Sequence, residues 1–229
     1  MLTLSSLLIG HRAVPLCTPL SATLPAGCLC ALVGRNGTGK STLLRTLCGL
    51  QKPLGGTVEW DGRDVRVMTR RELARSVAVV LTARPDTAML TVRDVVATGR
   101  MPYTPATGRL SAADRAAVEE AMRLAGIESL AARRLTTLSD GERQRAMIAK
   151  ALAQQTPAIL LDEPTAFLDY VAREEVFALL HSLARDASKL ILLSTHDLQC
   201  AARHADRIWH LTDNGLRTGT PELLTFLGL

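Results

Sequence analysis

The run Gly34 to Thr42, GRNGTGKST, holds residue types that can grip a phosphate chain. Gly34, Gly39, Lys40 and Ser41 satisfy the spacing G-x-x-x-x-G-K-[ST]. Glycines at these places, with Asn36 and Gly37 between them, let the backbone curl so that consecutive N–H groups face phosphate oxygens. A helix opening at Lys40 would add the partial positive charge of its N-terminus. Lys40 supplies a point charge for the β- and γ-phosphates. Ser41, next to Thr42, supplies a hydroxyl that can ligate Mg²⁺.

Two more runs carry chemistry. In AILLDEP, four apolar residues precede Asp162 and Glu163. In open α/β sheets ligands bind beyond the carboxyl ends of the strands. Asp162 is suited to the Mg²⁺ shell there, and Glu163 to polarising an attacking water as general base. In LSDGERQRAMIAKAL, Ser139 and Gly141 stand at the start of a helical pattern, a second helix N-terminus suited to an anion. One triphosphate needs one such loop, so two copies of the chain could share two nucleotides across an interface.

These residues need elements to hold them. CLCALVG (28–34) reads as an apolar strand, and KSTLLRTLCGL (40–50) as a helix stopped at Gly49. MLTLSSLLIG reads as a first strand, and GTVEWDGRDV as a hairpin turning at Asp61-Gly62. SVAVVLT (76–82), PAILLDEP (157–164), KLILLSTHD (189–197) and RIWHLTDNG (207–215) read as further strands. Ser111 and Asp114 have the spacing of a capping box ahead of a helical stripe. Residues 141–155 and 170–186 are helical by pattern, and LQCAARHA is a short helix. Strands alternating with amphipathic helices predict an α/β fold with a mostly parallel core sheet. The helix-rich stretch around 100–150 predicts an inserted helical subdomain.

The chain has 229 residues, 47% apolar and 21% charged, which suits a globular protein with a sizeable core. No apolar run approaches the roughly 18 residues of a membrane span, and no basic n-region marks a signal peptide. Net charge is +5, from 27 basic and 22 acidic residues. That balance suits an anionic surface or a phosphate ligand, and equally a solvated mixed face. There is no basic arm, and aromatics are 3%, so nucleic acid is not an expected partner. Five scattered cysteines, Cys28 and Cys30 on one face of a strand among them, read as buried small residues in a reducing compartment. His181, His204 and His210 read as surface or packing residues.

Taken together, the runs resemble an ATP-binding-cassette (ABC) ATPase subunit over nearly the whole length. GRNGTGKST resembles the Walker A motif, LSDGE the signature and AILLDE the Walker B motif. FLD (167–169) resembles the D-loop, and His196 in LLSTHD the switch histidine. The resemblance implies a P-loop NTPase fold in a single domain, 1–229, with an antiparallel β part near the N-terminus. It places the helical subdomain at about 83–155. It implies ATP and Mg²⁺ as ligands and a head-to-tail dimer. Each nucleotide would lie between the Walker motifs of one copy and Ser139 and Gly141 of the other. Glu163 would activate water, His196 would hold the γ-phosphate, and Asp169 would link the two sites. His11 falls where the family carries an adenine-stacking aromatic.

The sequence departs from the family in three places. Thr82 stands where a glutamine reaches the Mg²⁺ and the attacking water, and is expected to coordinate through water. Asp140 replaces the second glycine of the signature, and Glu142 its glutamine; such acids suit a helix dipole but oppose a triphosphate. LTVRDVVATGRMPYT (90–104), with V-x-x-G-R-x-P, resembles the importer ATPases for iron–siderophore, haem and cobalamin, as does GTPELL (219–224). The implied partners are a homodimeric permease and, through it, a substrate-binding protein, at the cytoplasmic face of the inner membrane. Arg100, Met101 and Tyr103, in a groove around 82–103, are expected to meet the permease. An exporter subunit, or an ABC ATPase acting on DNA or ribosomes, is the alternative.

Overall fold

The structure is a computed structural model describing residues 1–82, 89–105 and 107–228. The first part of the chain forms β1 (Leu2–Leu8), β2 (Gly10–His11), β3 (Val14–Pro15), β4 (Leu20–Leu24) and β5 (Cys28–Val33). Then come α1 (Lys40–Leu47), β6 (Gly55–Trp60), β7 (Arg63–Asp64), α2 (Arg70–Ser76) and β8 (Val77–Val80). Between β8 and the next strand lie α3 (Val92–Ala97), α4 (Ala112–Leu124) and α5 (Asp140–Ala153). The remainder is β9 (Ala158–Leu161), α6 (Tyr170–Asp186), β10 (Leu190–Ser194), α7 (Leu198–His204), β11 (Arg207–Thr212), β12 (Gly215–Gly219) and α8 (Glu222–Phe226).

The core sheet has the order β12-β11-β5-β10-β9-β8. Every pair is parallel except the edge hairpin β11–β12. Such strands are covered on both faces, which explains why β5, β9 and β10 are buried at every residue. Period-two alternation divides β5 between the two faces of the sheet. On one, Leu29 joins a core built with α3 to α6, and Ala31 and Val33 a smaller one with α7 and α8; on the other, Cys28, Cys30 and Leu32 join a core with α1 and the N-terminal strands. The antiparallel sheet β4-β1-β6-β7 supplies that second face. Its turn places Asp61 and Gly62 at φ of 49° and 78°, the left-handed pair a tight hairpin requires.

Thus the strands and helices read from the sequence form, with their parallel core and antiparallel part. The structure also adds elements. A capping box at Thr69 and Glu72 opens α2, and another at Thr91 and Asp94 opens α3. Because α2 runs through Ser76, β8 begins one residue later than the apolar run. Residues 83–88, the start of the expected helical subdomain, lie outside the described residues. No helix among the described residues is long and apolar enough to cross a membrane.

Candidate functional site

Strand β5 delivers the phosphate-loop residues to the carboxyl end of the sheet. Its side chains are buried, so the chain must turn sharply at Gly34 to reach α1. A Cβ on Gly34 would stand 2.4 Å from the Leu211 carbonyl oxygen, so only glycine fits this close approach. Gly39 has φ of 99° and forms the N-cap of α1, a conformation that an L side chain rarely adopts. Between them the loop folds around Lys40, whose Nζ donates to Gly34 O (2.8 Å) and Arg35 O (3.1 Å). Burial lowers the Lys40 pKa, while the charges of Glu163 and Asp162 raise it.

Parallel pairing then places the acids. Strand β9 ends at Leu161, so Asp162 and Glu163 leave the sheet beside the loop. Ser41 Oγ donates to Asp162 Oδ1 at 3.0 Å, and Ser194 Oγ to the same oxygen at 2.8 Å. A hydroxyl and a carboxylate at this spacing are the hard oxygen donors that suit Mg²⁺, with phosphate and water completing its shell. Glu163 takes φ of 49°, a left-handed conformation uncommon for a long side chain. Its N–H donates to Ser194 Oγ at 2.8 Å, and its Oε1 lies 3.0 Å from His196 Nε2. Glu163 and His196 line one cleft with Thr165, Arg173 and Thr195.

Ser194 is not among the residues that the sequence motifs single out, although it stands two places before His196. Its hydroxyl ties Asp162 to the Glu163 backbone, and it is wholly buried.

Thr82 lies beside the acids, but its hydroxyl donates to the Asp162 main-chain oxygen at 2.8 Å. The short side chain braces the strand end, and only its oxygen lone pairs are left for a water. His11 lies on β2, where its Nε2 shares a hydrogen bond with Thr42 Oγ1 at 2.9 Å. Gln51 Nε2 donates to Gly10 O at 2.6 Å and steadies the strand carrying it.

Ser139 and Gly141 stand apart from these residues. They line a second cleft of about 610 Å³ with Phe167, Leu168, Asp169 and Ala172, and no phosphate-loop residue lines it. Ser139 caps α5 in a capping box. Its hydroxyl accepts from Glu142 N, and Glu142 Oε2 accepts from Ser139 N (2.8 Å) and Ser139 Oγ (3.0 Å). These bonds, chiefly that from the Ser139 backbone, hold the Glu142 pKa low. The acid is therefore folded onto the cap and also paired with Arg133 at 3.4 Å. Asp169 caps α6 by accepting from Ala172 N at 2.8 Å.

One expectation fails. Arg100 is 5% exposed and cannot be a docking contact, because Asp114, Ala153 and Gln155 surround its guanidinium. Met101 is exposed at 70% and lines a groove with Arg70, Arg71, Ala97 and Pro102.

Comparison with known proteins agrees with this geometry. Residues 17–166 match the family model described as ABC transporter. The chain is similar to the achromobactin transport ATP-binding protein of Dickeya dadantii, 40% identical over 208 residues, covering 90% of this chain and 77% of that one. It is 38% identical over 202 residues to the ferric enterobactin transport ATP-binding protein of Escherichia coli, covering 88% and 74%. A dimeric bacterial ABC transporter cassette superimposes with TM-score 0.81 at 27% identity, covering 96% of this chain and 99% of that one. A post-hydrolysis dimer of that cassette, bound to ADP and Pi, superimposes equally well. Phosphate loop, strand-end acids and histidine thus sit on a matching fold: the chain belongs to the ABC transporter family, as an ATP-hydrolysing subunit whose activity is coupled to transport.

Proposed function

We propose that the chain is the nucleotide-binding subunit of an importer for an iron complex or cobalamin, and that it works as a head-to-tail pair. The observation that carries the pairing is the separation of the two clefts. The phosphate loop, acids and His196 lie in one region, whereas Ser139 and Gly141 line another. A second copy turned head to tail would bring its signature over the first copy's phosphate loop. On this reading 1–229 is one ABC ATPase domain with its helical part at about 83–155.

The mechanism follows from the residues. Lys40 and the N–H groups of Gly37, Gly39 and Ser41 hold the phosphates. Ser41 and Asp162 would hold Mg²⁺, with Thr82 reaching it through water, and the ion would supply positive charge to neutralise the phosphates. Glu163 takes the proton of the attacking water. His196, hydrogen-bonded to Glu163, turns to the γ-phosphate when nucleotide enters. Ser139 and Gly141 of the second copy close over the phosphates, and Asp169 carries the contact between sites. His11 faces the nucleoside. Loss of the γ-phosphate removes contacts to both copies and lets them part. A homodimeric permease, served by a substrate-binding protein, converts this cycle into movement of cargo. The chain would then sit peripherally on the cytoplasmic face of the membrane. The import assignment is supported by the iron–siderophore relatives and by V-x-x-G-R-x-P at 96–102.

A mixing experiment tests the shared site. Lys40→Ala and Ser139→Arg should each abolish hydrolysis. An equal mixture should regain about a quarter of the wild-type rate, because half the dimers then hold one intact site. No recovery on mixing refutes the shared site. Stimulation of the ATPase by a siderophore, haem or cobalamin permease in vesicles identifies the cargo, and stimulation by none refutes import of this class.

A further inference from the structure

The run Thr98-Gly99-Arg100-Met101-Pro102-Tyr103 looks like a surface turn, yet its centre is buried. A Cβ on Gly99 would stand 2.2 Å from Lys150 O and 3.1 Å from the Ala153 Cβ. The run therefore rests directly on the last turn of α5. Arg100 donates Nε to Asp114 Oδ1 on α4 (2.9 Å) and Nη1 to Ala153 O on α5 (2.7 Å) and Gln155 Oε1 (2.8 Å). Ala153 O is among the final carbonyls of the helix, which lack intrahelical donors. A cation there also meets the negative end of the helix dipole. Tyr103 is held too, with the Arg100 and Arg75 guanidinium carbons 4.1 and 4.8 Å from its ring centroid. Arg71 and Arg75 both donate to Pro102 O, at 2.8 and 3.0 Å.

The opposite end of α5 begins at Ser139 and carries Gly141. Its 14 residues make one rod about 21 Å long. No loop separates the signature from Ala153, and Gly99 and Arg100 grip the far end of that rod.

We propose that Gly99 and Arg100 are positioning residues that make segment 98–105 and α5 one mechanical unit. Nucleotide capture at Ser139 and Gly141 then shifts the groove that presents Met101, and pressure on that groove reaches the signature. The proposal rests on the two-copy site above and adds the residues that carry the movement.

Hydrogen exchange tests it in the Glu163→Gln background, where bound ATP persists. In that parent, ATP should slow exchange at 140–145 and also at 98–105, by at least about threefold. Adding Arg100→Gln should leave the response at 140–145 and remove it at 98–105. Should that variant fold poorly, Arg100→Lys keeps a cation beside Asp114 but lacks the fork that also reaches Ala153 O. It should lose most of the response at 98–105. A full response at 98–105 in either folded variant overturns the proposal. So does a parent that responds at 140–145 alone. A parent with no ATP response in either segment overturns the two-copy site, and the coupling with it.

Discussion

Glu163→Gln separates binding from hydrolysis, and the structure says what it changes. The amide has the size of the carboxylate, so the bond from Glu163 N to Ser194 Oγ and the left-handed backbone need not alter. Asp162 keeps Ser41 and Ser194. Lys40 loses one of two negative charges that raise its pKa against burial, and Asp162 remains. Phosphate binding should therefore persist. The proton acceptor is what disappears. A positioned general base contributes roughly 10²–10⁴ in rate, or about 3–5.5 kcal/mol of barrier. Steady-state phosphate release should fall by that factor, while light scattering should show ATP-dependent dimers accumulating. His196→Ala should also slow release. Because His196 and Glu163 share a hydrogen bond, the double variant should lose less than the sum of the single losses. Hydrolysis at the wild-type rate in Glu163→Gln would show that the base lies elsewhere; loss of ATP binding would show that Glu163 holds the loop together instead.

Gly34→Ala drives a methyl toward the Leu211 carbonyl; overpacking of this kind costs about 1–3 kcal/mol, and the melting temperature should drop by roughly 2–12 °C. An unchanged melt would refute the close approach. Asp114 is held down to about 2, first by the Ser111 hydroxyl, then by the Ser111 backbone and Arg100. A depressed carboxyl stabilises fully above its unfolded value of about 3.9, and the contribution is lost as pH falls through about 2. The gap in urea midpoint between wild type and Asp114→Asn should therefore shrink between about pH 5 and pH 2; a constant gap contradicts the assignment. Glu142→Gln keeps a capping side chain and removes a charge beside Ser139, which in the proposed two-copy site lies near the nucleotide. ATP affinity, read by titration, should rise by about two- to tenfold at low salt, and no change would mean that Arg133 already neutralises the acid.

What the sequence made legible was local. Ser111 and Asp114 sit three residues apart, and that spacing suffices to announce α4 and its cap. The same pattern opens α2 and α3, but these helices have seven and six residues, too few for an apolar stripe to register. The phosphate loop was legible because its spacing is its mechanism. Arg100 was not, because its partners lie 14, 53 and 55 positions away and nothing local foretells burial of an arginine in a polar run. Thr82 was expected to reach Mg²⁺ through water; the structure shows its hydroxyl on the Asp162 main-chain oxygen, a bond that depends on how β8 and β9 align.

The placement of β5 has a consequence for how the chain comes to be folded. Its sheet neighbours are β10 and β11, paired at Leu29 with Ile191 and at Cys30 with Arg207. The strand at Cys28–Val33 waits for partners at Leu190–Ser194 and Arg207–Thr212, which follow it only after more than 150 residues of chain. Non-local pairing of this kind slows folding and leaves apolar edges open meanwhile. A ribosome-bound chain truncated before β10 should thus hold the whole of GRNGTGKST and bind no nucleotide, since the strand that aims the loop still lacks both sides of its sheet.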